Sequence, residues 1–131
     1  MNTKETGYAS KPFGIPTKRY CQTLDLKDEP ELIRLYKTYH SEEESWPEIR
    51  EGIRSVGILE MEIYLIDTRL FMIVETPLGF DWDLAFKRLA DLPRQAEWEE
   101  RMSIFQVADP KAGSAEKWRL MERIFRLYEN H

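Results

Sequence analysis

Two runs of apolar, β-branched-rich residues, separated by only three positions, constrain this fold more than any other feature of the sequence. The runs are Ile58 to Ile66 and Leu70 to Glu75, and the spacing of Asp67-Thr68-Arg69 between them predicts a β-hairpin. Successive residues of a strand point to opposite faces of the sheet, and both alternating sets contain apolar side chains. A sheet built on this hairpin therefore needs cover on both faces, helices on one and a second copy of the sheet on the other.

The segments around the hairpin predict two further strands and four helices. Arg19 to Leu26 alternates as a strand does, whereas Lys117 to Leu127 fits strand or helix and is assigned to a strand because Ile124, Phe125 and Leu127 could complete a sheet. Helical patterns cover Asp28 to His40, Ser45 to Gly57, Asp81 to Leu92 and Pro93 to Gln106. The order βααββααβ predicts an α+β, ferredoxin-like antiparallel sheet with helices on one face.

Short motifs mark the ends of the first two helices. Asp28 with Glu31, and Ser45 with Glu48, have the spacing of capping boxes, so Asp28 and Ser45 are the predicted N-caps. Gly57 follows the second apolar stripe and is a natural residue just past a helix C-terminus.

Length and composition predict one domain in a reducing compartment. The 131 residues suffice for a single core, with residues 1–17 as a tail or arm and residues 18–131 as the domain. No segment has the apolar length of a signal peptide or membrane helix, which predicts a cytoplasmic protein without a membrane partner. The single Cys21 excludes an internal disulfide and a multi-cysteine metal cluster.

Charge and missing motifs exclude several function classes. The net charge is -5 and the basic residues are scattered, which argues against nucleic acid as a partner. The sequence lacks a phosphate-binding glycine loop, a serine-hydrolase elbow and a paired His-x-x-x-His, so it gives no support for nucleotide hydrolysis, serine hydrolysis or zinc chemistry. No metal ligand set and no cofactor are predicted.

His40 is the interior histidine, because the other histidine is the terminal His131. Its unperturbed pKa would let it exchange protons near neutrality. It follows Tyr36 by four positions on one helix, so the two side chains share a face. The pattern alone favours a packed aromatic stripe that ends in a histidine complementing the helix dipole.

A set of motifs in fixed order changes that interpretation. In chain order they are Tyr36-x-x-x-His40, Trp46-Pro47-Glu48, Gly57, Ile63-Tyr64, Leu70-Phe71 and a helix with Trp98 near Met102. With these motifs the chain resembles the L-rhamnose mutarotase family from about Lys18 to Leu127. The resemblance implies a homodimeric α+β barrel that interconverts the α and β anomers of a 6-deoxy-L-hexose without a cofactor.

The resemblance also implies roles for individual residues. His40 corresponds to the proton-donating histidine and Tyr36 to a sugar-binding tyrosine of the same helix. Met61 stands where the family has a second sugar-binding tyrosine, and a tryptophan pair survives only as Trp98. The general base stays open among Glu62, Glu97, Glu99 and a bound water.

The identity of the sugar is less determined than the chemistry. The segments Met61-Glu62-Ile63-Tyr64, Leu92 to Trp98 and Lys117 to Glu122 look more like an L-fucose-associated branch of the family than like the L-rhamnose enzymes. Two rival functions remain: a non-catalytic sugar-binding or regulatory module of the same fold, and a small dimeric ferredoxin-like monooxygenase.

Overall fold

The computed structural model describes residues 7–108 and 117–128, and its elements follow the predicted order. The strands are β1 (Thr17–Asp25), β2 (Glu60–Ile66), β3 (Arg69–Pro77) and β4 (Arg119–Leu120), and the helices are α1 (Pro30–Tyr39), α2 (Pro47–Ser55), α3 (Trp82–Ala90) and α4 (Gln95–Ser103). The predicted α+β class is confirmed. No helix in the described ranges is long and apolar enough to cross a membrane.

The strands form one antiparallel sheet in the order β2-β3-β1-β4. The predicted hairpin is confirmed as the β2-β3 pair, and its turn contains Asp67 with a φ of 51°. Aspartate is one of the few residues that adopts this left-handed conformation at modest cost. β3 lies between β2 and β1, so the second apolar run is central in the sheet and the first is at its edge.

One face of the sheet carries the core. Leu24 of β1 pairs with Leu70 of β3, and Val74 of β3 lies between its partners Tyr20 of β1 and Met61 of β2. Paired residues of neighbouring strands point to the same side, so these side chains share one face of the sheet. The helices add the buried side chains Tyr36, Ile49, Leu89, Trp98 and Met102 to the same cluster. Burying each large apolar side chain contributes roughly 1.5–3 kcal/mol, which holds the helices on this face.

The opposite face lacks that cover. Tyr64, Phe71 and Ile73 are only half-buried and do not belong to the core cluster of the described residues, and Ile66 is 72% exposed. The Tyr8 ring meets the Tyr64 ring edge-on at 5.7 Å, so part of the predicted tail reaches this face. Residues 1–6 of the tail and His131 lie outside the described residues. We call this surface the open face.

The N-cap predicted for the first helix is wrong by one residue. Glu29, not Asp28, is the N-cap of α1, with φ -137° and ψ 113° and no side-chain capping bond. Pro30 occupies the first turn and restricts the residue before it to extended backbone, which moves the cap next to the proline. Glu31 does not complete a capping box and instead accepts a bond from Arg34 at 2.9 Å.

The same displacement occurs at α2. Trp46 is the N-cap in front of Pro47, and Ser45 Oγ accepts a hydrogen bond of 2.9 Å from Arg50 Nε instead of capping. The prediction for the other end of this helix is correct, because Gly57 follows the C-cap residue with a φ of 103°.

The last predicted strand is far shorter than expected. Leu120 pairs with Gln22, but Ile124 and Phe125 are 90% and 74% exposed and do not complete the sheet, nor does Leu127 at 73%. An edge strand has hydrogen bonds on one side only. The adjacent Ile124 and Phe125 would also point to opposite faces, so pairing would bury only one of them.

Candidate active site

A cavity of about 320 Å³ lies between the core face of the sheet and helices α1, α2 and α4. Its volume is at the small end of the range for small-molecule sites. The α1 end, α2 and α4 form one wall and the sheet forms the other. Its lining includes Tyr36, His40, Trp46, Ile49, Trp98 and Glu99 from the helical wall and Gln22, Met61, Ile63 and Met72 from the sheet.

His40 lies at the C-terminus of α1, with its ring fixed by the backbone. Its Nδ1 is 2.7 Å from the carbonyl oxygen of Tyr36, and because a carbonyl oxygen only accepts, Nδ1 carries the hydrogen and donates it. Burial lowers the pKa of His40 below its ordinary value of 6.5; the bond to Tyr36 opposes the shift and the charge of Arg50 adds to it. At neutral pH the imidazole is therefore neutral, with a lone pair on Nε2.

Tyr36 packs against His40 and is itself 3% exposed. The two ring centroids are 4.3 Å apart, as the i, i+4 spacing predicted. Burial raises the pKa of the Tyr36 hydroxyl well above its ordinary value, although a hydrogen bond with the Gln106 side chain acts the other way. The hydroxyl keeps its proton and can donate a hydrogen bond across the working pH range.

Trp98 has an indole neighbour that the sequence pattern did not pair with it. Trp46, from the N-cap of α2, meets Trp98 edge-on with centroids 5.2 Å apart, and the His40 ring lies 5.4 Å from Trp98. The Arg94 guanidinium lies 3.8 Å above the Trp46 ring and holds it from outside. The imidazole thus contacts Trp98, and Trp46 extends this aromatic wall from a different helix.

The structure separates the carboxylates that were candidates for the general base. Glu62 faces away from the cavity, on the open face, where its Oε1 accepts a bond from the Tyr64 hydroxyl at 3.2 Å. Glu97 is exposed, and its bonds to Arg94 lower the pKa of its carboxyl. Glu99 does line the cavity, with its Oε2 accepting a bond from Gln95 at 3.2 Å.

The rest of the cavity lining contains one predicted residue and two glutamines that were not predicted. Met61 lines the cavity as expected of the residue in the tyrosine position. Gln22 and Gln106 also line it, are 2% and 4% exposed, and were not predicted as site residues. A signal for Gln22 existed, because it lies between Tyr20 and Leu24 on the apolar side of an alternating strand.

The side chains that line the cavity are suited to proton transfer. Within the described ranges, no group of three His, Cys, Asp or Glu side chains could hold a metal ion. The arrangement offers a neutral imidazole, the protonated phenol of Tyr36, the carboxylates of Glu60 and Glu99, and an indole wall. Such a site can move a proton between two oxygens of a small polar molecule whose apolar face rests on the indoles.

Comparisons of the sequence with known proteins agree with this chemistry. The profile of the L-rhamnose mutarotase family matches residues 19–127. An L-fucose mutarotase of Xanthomonas campestris pv. campestris is 40% identical over 114 residues, covering 86% of this chain and 90% of that protein. A Dictyostelium discoideum protein with only a family designation is 38% identical over 114 residues, covering 84% and 90%.

A solved structure shows the same fold. The crystal structure of an L-rhamnose mutarotase from Formosa agariphila superposes with a TM-score of 0.61, covering 85% of this chain and 99% of the other. The sequences are only 18% identical, so this likeness concerns the fold alone.

Proposed function

The chain belongs to the L-rhamnose mutarotase family, and from that premise we propose that it interconverts the α and β anomers of a 6-deoxy-L-hexose in the cavity beside His40. The enzyme is an isomerase, and the reaction changes only the configuration at C1. The observation that carries the proposal is the half-buried His40, whose Nδ1 donates to the carbonyl oxygen of Tyr36 and whose pKa is lowered by burial, so that Nε2 has a lone pair at neutral pH. Its other nitrogen, Nε2, is the atom assigned to proton exchange with the sugar.

A single imidazole nitrogen can serve both proton transfers. Neutral Nε2 removes the proton from the C1 hydroxyl as the C1–O5 bond breaks and the C1 carbonyl forms. The resulting imidazolium then gives that proton to O5, so His40 acts as base first and as acid second. Rotation about C1–C2 and the reverse steps close the ring on the other face of C1. No net proton is gained or lost.

The neighbours of His40 have supporting roles. Tyr36 donates a hydrogen bond that orients the sugar, and Trp98 and Trp46 supply an apolar wall. Glu99 is the remaining carboxylate of the three candidates that lines the cavity, and it can assist through a bound water. Glu62 and Glu97 are left out of the mechanism because their side chains lie elsewhere.

L-Fucose is the preferred substrate in this proposal. The relative from Xanthomonas campestris is named an L-fucose mutarotase, and it covers most of this chain. Met61 offers a soft apolar wall where a tyrosine would offer a hydroxyl, which removes one contact to a ring hydroxyl. Exchange of L-fucose should therefore be at least as fast as exchange of L-rhamnose.

We propose that the enzyme is a cytoplasmic homodimer joined through the open face. Half-buried Tyr64, Phe71 and Ile73 form an apolar surface across the paired strands β2 and β3. A second copy of the same surface would bury them with twofold symmetry. The free Cys21 suits a reducing compartment.

Saturation-transfer NMR tests the activity and the sugar together. The anomeric protons of L-fucose and L-rhamnose are saturated in turn, with and without enzyme, and D-glucose serves as a sugar of different configuration. We expect enzyme-dependent transfer for L-fucose, equal or weaker transfer for L-rhamnose, and the weakest for D-glucose. A clear preference for L-rhamnose would overturn the substrate assignment.

The same samples separate the rival functions. A sugar-binding module would quench the fluorescence of Trp98 or Trp46 on titration with L-fucose but would give no exchange above buffer. A monooxygenase would consume oxygen. The family match favours the mutarotase over both.

A further inference from the structure

Two buried amide oxygens in the cavity wall have no hydrogen-bond partner among the described residues: Gln22 Oε1 and Gln106 Oε1. Both side chains are more than nine-tenths buried. A buried acceptor without a partner is costly, so native proteins rarely keep one without a reason. Here both acceptors belong to side chains that line the candidate active site.

The amide nitrogen of Gln22 fixes the orientation of its side chain. Its Nε2 donates to the carbonyl oxygen of Trp118 at 3.4 Å. Turning the amide over would place its oxygen against that carbonyl oxygen, so Oε1 stays the unpaired atom. Met72, opposite Gln22 in the sheet, cannot supply a strong donor.

Gln106 is held beside the proposed machinery. It is anchored by a β-bridge with Leu26, and its side chain hydrogen-bonds with Tyr36. Its unpaired oxygen therefore lies in the neighbourhood of the phenol that orients the sugar. Because Oε1 is the unpaired atom, the amide nitrogen is the group that donates to the phenol oxygen, which leaves the phenol hydrogen for the sugar.

We propose that Gln22 and Gln106 determine specificity by accepting hydrogen bonds from hydroxyl groups of the sugar. This inference rests on the proposed function and names the hydroxyl-recognition part of its site. A monosaccharide is small enough for a cavity of about 320 Å³, and each of its hydroxyl groups can donate a hydrogen bond. The two amides supply hydrogen-bond acceptors in the cavity, whereas the Met61 side chain supplies only apolar contacts.

The proposal predicts an effect on binding that is separate from stability. Gln22→Leu and Gln106→Leu each remove a sugar contact, and we expect KM for L-fucose to rise roughly tenfold in each variant. Each removes an unpaired buried oxygen but also breaks the hydrogen bond at the other end of the amide, so thermal stability without sugar should change little. KM comes from NMR exchange rates, and stability from thermal unfolding followed by circular dichroism.

Thr23→Val is the matched control. Thr23 is next to Gln22 on β1 but faces the other way, and its hydroxyl donates to the Leu70 carbonyl at 2.9 Å. This variant should lose some stability and keep its KM. A Gln variant that is destabilised while its KM is unchanged would show a structural role and overturn the proposal for that residue.

Deoxy sugars provide a test that does not depend on the variants folding. With the wild-type enzyme, removing a recognised ring hydroxyl from L-fucose should raise KM roughly tenfold. Against the matching Leu variant the same deoxy sugar should lose little more, because the contact is already gone. If L-fucose is exchanged but no deoxy sugar raises KM, the role proposed for the two glutamines is wrong and the proposed mutarotase activity stands. If neither L-fucose nor L-rhamnose is exchanged, the proposed mutarotase activity itself is wrong.

Discussion

The two faces of the sheet differ in how far a single chain completes them. The core face is covered by helices and encloses a cavity with His40, Tyr36 and Trp98 in its lining. The open face carries half-buried aromatic and aliphatic side chains in the described residues, with Tyr8 as a ring contact. Adjacent residues such as Met61 and Glu62 therefore have different surroundings, one in the cavity and one outside it.

This difference assigns the chemistry and the proposed dimer to separate residue sets. Each strand contributes alternate side chains to one set or the other. Changes on the core face should alter exchange without altering association, and changes on the open face should do the reverse.

The largest expected effect comes from His40→Gln. Glutamine keeps hydrogen-bonding capacity but cannot titrate, so exchange of L-fucose should fall by roughly a hundredfold or more with the fold intact. NMR exchange rates and circular dichroism measure the two properties. Glu62→Gln, on the open face, is the control and should stay near wild type. Near-wild-type exchange in His40→Gln would remove His40 from the mechanism.

Ile73→Lys should break the assembly and spare the cavity. A buried, unpaired charge in an apolar interface is strongly unfavourable, and the dimer dissociation constant should rise by roughly a hundredfold or more. Light scattering over a concentration series measures the shift. Leu78→Lys places the same charge at an exposed apolar residue outside the sheet and should leave the dimer intact. A wild-type protein that is monomeric at micromolar concentration would contradict the proposed interface.

The pH profile of exchange should show a smaller effect with a definite sign. Burial lowers the pKa of His40, so the neutral form that removes the C1 proton persists through pH 6.5 and is lost only at lower pH. Exchange rates from pH 8 to 5 should be flat and then decrease. A decrease on raising the pH above 6.5 would instead identify the imidazolium as the active form.

The smallest expected effect is on stability. Since the folded pKa of His40 is below the unfolded value of 6.5, the unfolded chain binds more protons as the pH falls below 6.5. The contribution of His40 to the free energy of unfolding is therefore complete above 6.5 and decreases toward the folded pKa. Urea unfolding at pH 7 and pH 5 should show a smaller decrease for His40→Gln than for the wild type. Equal decreases would mean that His40 is not the titrating group.

The local patterns of the sequence predicted most of the fold. Alternation and i, i+4 spacing are properties of one strand or one helix, so the β2-β3 hairpin and the contact between Tyr36 and His40 were predictable. The caps at Asp28 and Ser45 were predicted wrongly because the neighbouring prolines outweighed the capping motif. The length of the last strand also failed, because edge pairing depends on what else can bury Ile124 and Phe125.

The fold class, the family and the shared face of Tyr36 and His40 could be predicted from the sequence alone, because they follow from local spacing and motif order. Contacts between distant residues became visible only in the folded chain. There Trp46 packs against Trp98, Glu99 lines the cavity while Glu62 and Glu97 lie outside it, and Gln22 and Gln106 line the same cavity. Spacing along the chain fixes side-chain directions within one helix or strand, whereas burial and contacts arise only where these elements pack together.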